Sequence, residues 1–214
     1  METAQSNPPT RRIFELVAAG LLGLATIATA WCAYQAAAWN QQETDLGREA
    51  SDIRAESTRL FSLGTQKTAY DATIAAMYAE AVSEQNTRLV EFYRENLVRP
   101  DFLPVLDRWE DQARNGQPLT KLVDDPDYLQ GQFGESQALA TEADAKGDEG
   151  NQASENSASF VRTTIFLASA LFFVGITSQF RARSVQLALL LIGTLMFGIG
   201  VSLIADLPAT GGGL

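Results

Sequence analysis

Three long apolar runs punctuate the chain, Ile13 to Trp39, Phe160 to Phe180 and Val185 to Leu203, with a long polar segment after the first and a short basic connection after the second. Each run reaches the roughly 20 residues that a helix needs to cross a bilayer. The polar segment also reads as helix. Between Asn40 and Arg99 there is no proline, and residues of high helix propensity dominate. Leu46, Ala50, Ile53, Leu60 and Leu63 follow three-or-four spacing, which Tyr70, Ile74, Met77 and Ala81 resume. The first span is therefore predicted to continue beyond the membrane to Val82, on the order of 65 Å at about 1.5 Å per residue, with Gly64 as a candidate hinge.

The polar run Ser83 to Arg88 interrupts this stripe and is expected to reverse the chain, Ser83 capping a second helix from Thr87 to Val98 that Pro100 ends. Asp101 is expected to cap a short helix through Trp109 to Ala113, with Pro104 in its first turn. Asn115 to Gly134 collects glycines and prolines and reads as a loop. Gln137 to Ser157, rich in Ala, Glu and Gln, reads as a polar helix softened around Gly147 and Gly150.

The pattern defines an all-α membrane protein: three transmembrane helices with an extracytoplasmic helical stalk and head inserted between the first and second spans. The segments are a cytoplasmic tail 1–12, a transmembrane helix with its interfacial end 13–39, an extracytoplasmic acidic helical domain 40–157, a transmembrane helix 158–180, a cytoplasmic loop 181–184, a transmembrane helix 185–206 and an extracytoplasmic tail 207–214. Orientation follows from Arg11 and Arg12 before the first run and Arg181 and Arg183 between the other two, because short basic segments stay in the cytoplasm. Residues 10–14 resemble the start of a twin-arginine export signal and Ala28-Thr29-Ala30 a cleavage site. The apolar stretch continues well past Ala30, so an uncleaved anchor is expected.

Charge narrows the function. The formal net charge is −10, and about twelve net negative charges fall between Asn40 and Ser157. Such a segment does not suit nucleic acid or anionic lipid, which both require basic patches. The chain contains no histidine, which removes the usual general base and the commonest metal ligand. Its single cysteine, Cys32, has no intrachain partner. Asp124, Asp125 and Asp127 lack the glycine turn and distant glutamate of a calcium loop. Glu91 with Glu95, and Asp107 with Asp111, have the i, i+4 spacing of solvated surface charges. Leu207 to Gly211 spells a sortase-type sequence without the apolar segment and basic end that a working signal requires. No catalytic, metal or cofactor residues are assigned, and the chain is expected to be no enzyme.

Candidate interaction residues are aromatic. Trp31, Tyr34, Gln35 and Trp39 recur along one helical face and are expected to form an interfacial belt. Phe92, Tyr93, Phe102 and Trp109 enrich the segment after the reversal. Thr194, Gly198 and Ser202 form a small-residue stripe permitting close helix packing, against this chain or a second copy. Arg162, at the outer entrance of the second span, can snorkel to the headgroups or pair with an acidic residue of the exposed region.

The motifs WCAYQAAAW at 31–39, EFYRENLVRPDFLPVLDRW at 91–109 and FLASALFFVGITSQFRAR at 166–183 resemble a group of uncharacterised bacterial three-pass inner-membrane proteins. That resemblance covers most of the chain, is weakest between Asp111 and Ser157, and implies the same topology without an activity. The expected role is a non-enzymatic scaffold or accessory subunit of the bacterial cytoplasmic membrane, touching the lipid bilayer and either a second copy or another membrane protein. An oligomeric channel or transporter component is the alternative. It is disfavoured because no charged residue lies centrally in any span.

Overall fold

The computed structural model describes residues 9–180 and 182–210, with side chains from Phe14 onward. Residues 1–8, Arg181 and residues 211–214 lie outside the described residues, as do the side chains of Arg11 and Arg12. With them go the basic orientation signals other than Arg183, the start of the export-like sequence and the end of the sortase-like one. Among the described residues the fold is all-helical: α1 Pro9–Ser83, α2 Thr87–Asn96, α3 Leu103–Arg114, α4 Pro126–Ile176 and α5 Arg183–Asp206, with 3-10 turns at Leu122–Asp124 and Thr177–Gln179. Stretches of α1, α4 and α5 are each long and apolar enough to cross a membrane, which indicates a multi-pass membrane protein. The chain divides into two compact units, one from Met1–Gly47 with Asp148–Leu214 and the other from Arg48–Gly147.

The first unit contains all three apolar runs. Cys32 and Ala36 of α1 pack with Phe160 and Leu167 of α4, flanked by Phe197 and Ile204 of α5 and by Leu207 just beyond it. Small residues set the approach of α5 to α4. A Cβ added to Gly193 would stand 2.5 Å from Val174 Cγ2 and 3.3 Å from the Ala170 carbonyl, and one on Gly200 would stand 2.7 Å from Leu167 Cδ2. The outward surfaces are apolar: Leu16, Leu24, Ile27, Ile165, Phe172, Leu191 and Leu195 are all exposed. Contiguous apolar exposure of this kind is foreign to a water-facing monomer and natural to a lipid-facing one.

In the second unit α1 and α4 run antiparallel, with Ser57 Oγ donating to the Ser136 carbonyl at 2.7 Å and the rings of Phe61 and Phe133 5.3 Å apart. Buried positions on α1 recur every seven residues, at Ala50, Ser57, Gly64, Asp71 and Tyr78. Gly64, a candidate hinge from sequence, lies inside an unbroken helix. Its missing side chain admits the partner backbone, since a Cβ there would sit 2.6 Å from the Gln132 carbonyl oxygen. Leu63 and Met77, expected in the apolar stripe, are exposed instead.

Helix α1 ends at Ser83. The Asn86 N–H donates to the Ala81 carbonyl and the Gln85 N–H to the Val82 carbonyl, the two bonds of a Schellman motif, with Gln85 in the left-handed region at φ 57°. The same motif ends α3, where Gly116 takes the left-handed position at φ 65°. Two expected caps are corrected, and one that was not expected is found. Asn86 caps α2 in place of Ser83, its side chain accepting from the Leu89 N–H. Helix α3 has no side-chain cap, because Asp101 turns to Arg99 and Pro104 lacks the N–H that a cap would bind. Asp125 caps α4, its Oδ1 accepting from the Tyr128 N–H at 3.0 Å immediately before Pro126. The loop expected over residues 115–134 therefore ends at Asp125, and α4 passes through Gly131, Gly134, Gly147 and Gly150 without a break. Helix α2 also stops earlier than expected, at Asn96, where the Val98 N–H reaches back to the Tyr93 carbonyl.

Candidate functional site

The expected aromatic face of α1 is divided by the structure. Trp31 and Tyr34 are exposed, their rings 6.0 Å apart and tilted by 34°. Gln35 is buried and Trp39 half-buried, and both engage the chain beyond α5. The Thr210 N–H and hydroxyl donate to Gln35 Oε1 at 3.0 and 2.6 Å, and Trp39 Nε1 donates to the Pro208 carbonyl at 3.1 Å. Ser157 Oγ completes this end by donating to the Ala36 carbonyl at 2.9 Å. A buried amide next to apolar spans requires such partners. Helical spacing put Gln35 on the aromatic face but could not reveal its bond to Thr210.

In the second unit Ile74, Tyr78, Val98, Phe102, Val105, Leu106 and Tyr128 form one apolar core. Phe102 is fully buried and meets Trp109 and Tyr128 edge-on, with ring centroids at 5.8 and 5.9 Å. Pairs of this geometry contribute about 0.5–1.5 kcal/mol beyond burial. Trp109 carries an indole N–H that is buried without a hydrogen-bond partner. Tyr93 is half-buried against the core, whereas Phe92 is exposed.

Beside that core lies a polar network that sequence reasoning did not assign. Asp71, with no exposed surface, accepts from Arg99 Nε at 2.9 Å and Nη2 at 2.7 Å and from the Tyr128 hydroxyl at 2.7 Å. Arg99 Nη2 also donates to Gln132 Oε1 at 3.2 Å. The bidentate bond to Asp71 holds the Arg99 guanidinium above its ordinary range. Burial, then the Asp71 carboxylate, pushes the Tyr128 hydroxyl up to about 12. A second cluster joins Tyr78 and Arg94 to Glu110, and Arg94 to Asp107. A third joins Arg108 to Asp125. Burial acts to raise the Asp125 carboxyl, but the Tyr128 N–H and Arg108 outweigh it and hold the group below its ordinary range.

Chemically, these carboxylates are committed. Asp71, Asp107, Glu110 and Asp125 each form an ion pair with an arginine. Asp111 pairs with Arg114 at 3.2 Å. Leu63, Tyr70 and Met77 are exposed at seven-residue intervals on one face of α1, and Phe61 and Phe92 are exposed as well.

Thr194, Gly198 and Ser202 line an open groove on α5 with Leu191, Leu195 and Ile199, and a Cβ on Gly198 would meet nothing within 4 Å. The close contact between α5 and α4 falls to Gly193 and Gly200 instead, whose seven-residue spacing does not match the four-residue spacing sought in the sequence. No family model, curated protein or solved structure matches this chain.

Proposed function

We propose that the protein is a non-enzymatic integral protein of a bacterial cytoplasmic membrane whose acidic helical unit lies on the extracytoplasmic side and binds a cell-envelope partner, as scaffold or accessory subunit. The N-terminus is then cytoplasmic and the C-terminus extracytoplasmic. Arginines 11, 12, 181 and 183 support this orientation through the preference of basic segments for the cytoplasm. The net negative charge of residues 40–157 fits the opposite side. The observation that carries the reading is the row Leu63, Tyr70 and Met77, apolar side chains exposed on one face of a unit whose Asp71, Asp107, Glu110 and Asp125 are bound to arginines. Exposed apolar rows of this kind mark interaction surfaces.

Two measurements test it. Cysteines introduced at exposed Arg88 and at Thr210 should react with a membrane-impermeant thiol reagent in intact cells, while one at exposed Ala182 should not. A photo-crosslinking residue at Met77 should give one discrete protein adduct that the same residue at Arg54 does not. Labelling at Ala182 alone, or identical adducts from both crosslinking positions, refutes the proposal.

A further inference from the structure

A cleft of about 380 Å³ opens between α4 and the end of α5, lined by Ser159, Arg162, Thr163, Phe166, Leu203, Asp206 and Leu207. Its level in the fold follows from packing already described. Gly200 seats against Leu167, so the entrance of the apolar part of α4 and the exit of α5 lie at the same end of the three-span unit. In a membrane that end is the water–lipid boundary. The deeper wall, Phe166 and Leu203, is apolar.

The upper wall carries opposite charges that do not pair with each other. Among the described residues Arg162 bonds only within its own helix, Nε to the Ala158 carbonyl at 3.4 Å and Nη2 to Ser159 Oγ at 3.1 Å, using two of the five guanidinium donors. Asp206 is exposed and joins no ion pair within 4.0 Å among the described residues. The cleft thus presents a cation and an anion, separately, above an apolar wall.

We propose that this cleft binds a zwitterionic phospholipid with a primary ammonium, a phosphoethanolamine headgroup. Its phosphate lies on Arg162, its ammonium on Asp206 and an acyl chain along Phe166 and Leu203. Arginine favours phosphate because its planar donors match the oxygens. A carboxylate selects the primary ammonium, whose N–H groups can donate, over a quaternary choline, which has none. The same carboxylate opposes a headgroup of net negative charge. The site rests on the membrane reading given above.

Native mass spectrometry of the full-length protein, released from detergent with an equimolar mixture of phosphatidylethanolamine, phosphatidylcholine and phosphatidylglycerol of identical acyl chains, tests the proposal. One charge-assisted hydrogen bond predicts about a tenfold preference for ethanolamine over choline lipid. Asp206→Asn should bring that ratio to about one while phospholipid adducts persist, and Arg162→Gln should reduce all three adducts. Both side chains are exposed, and the ethanolamine-to-choline ratio is internal to one sample, so altered folding cannot mimic its loss in Asp206→Asn. Equal ethanolamine and choline adducts on the parent protein, dominance of the glycerol lipid, or an unchanged ratio in Asp206→Asn overturns the site. Whether the chain resists carbonate extraction from membranes, measured before solubilisation, reports separately on the membrane reading.

Discussion

Replacing Arg99 with leucine isolates the energetics of the buried network. The Asp71 side chain is only 1% exposed, and it would lose two N–H donors and its countercharge, keeping just the Tyr128 hydroxyl. Removing one partner of a buried ion pair costs about 3–5 kcal/mol, because the remaining charge is stranded. The Arg99 side chain is 19% exposed, so water can follow into its place, and the expected cost lies at the lower end, about 3 kcal/mol. That corresponds to an increase of more than about a hundredfold in the open population. Proteolysis of the full chain in detergent reads this directly at low protease, when reclosing outruns cleavage and the rate tracks the equilibrium. Fragment masses should place the cuts between residues 84 and 125. The double variant Asp71→Leu with Arg99→Leu strands no charge and should recover at least half the loss. An Arg99→Leu cleavage rate within about threefold of the parent, or a double variant as labile as the single one, would refute the stranded-charge argument.

Four further outcomes follow from local geometry. Tyr128 titrates up to about 12 against an ordinary 10.0. A raised value means its stabilisation is complete below about pH 10 and is lost as pH rises through about 12, so the thermal midpoint should fall across that window and Tyr128→Phe should flatten the fall. Gln85→Gly should stabilise by about 0.5–1 kcal/mol by relieving the left-handed backbone, and Gly116→Ala should destabilise by a similar amount, both read as shifts in helix melting by circular dichroism. Gly64→Ala should cost about 1–3 kcal/mol because its Cβ would press on the Gln132 carbonyl, whereas Gly131→Ala, with open space around it, should be neutral or stabilising in the same melts. Gly193→Leu should loosen α5 from α4 and weaken a disulfide engineered between the two helices, and Gly198→Leu should leave its yield unchanged, since Gly193 is in contact and Gly198 is not.

Much of the secondary structure was written locally. Each apolar run meets the length for crossing a bilayer whatever surrounds it, and the proline-free stretch to Ser83 extends α1 because propensity acts residue by residue. Asp125 before Pro126 was an equally local start signal, a capping carboxylate followed by a proline at the first helical position, and the neighbouring glycines obscured it. Helical periodicity announced that stripes exist, but it could not say what covers them. Leu63 and Met77 share the apolar spacing with Ile74 and are exposed, because α4 approaches the face marked by Ser57, Gly64 and Asp71. The Asp71–Arg99 pair, the Gly64–Gln132 contact and the Gln35–Thr210 bond join residues 28, 68 and 175 positions apart. Those contacts were decided by chain reversal and helix packing, which bring together groups that no local spacing relates and reward burial only where a partner satisfies the polar atom.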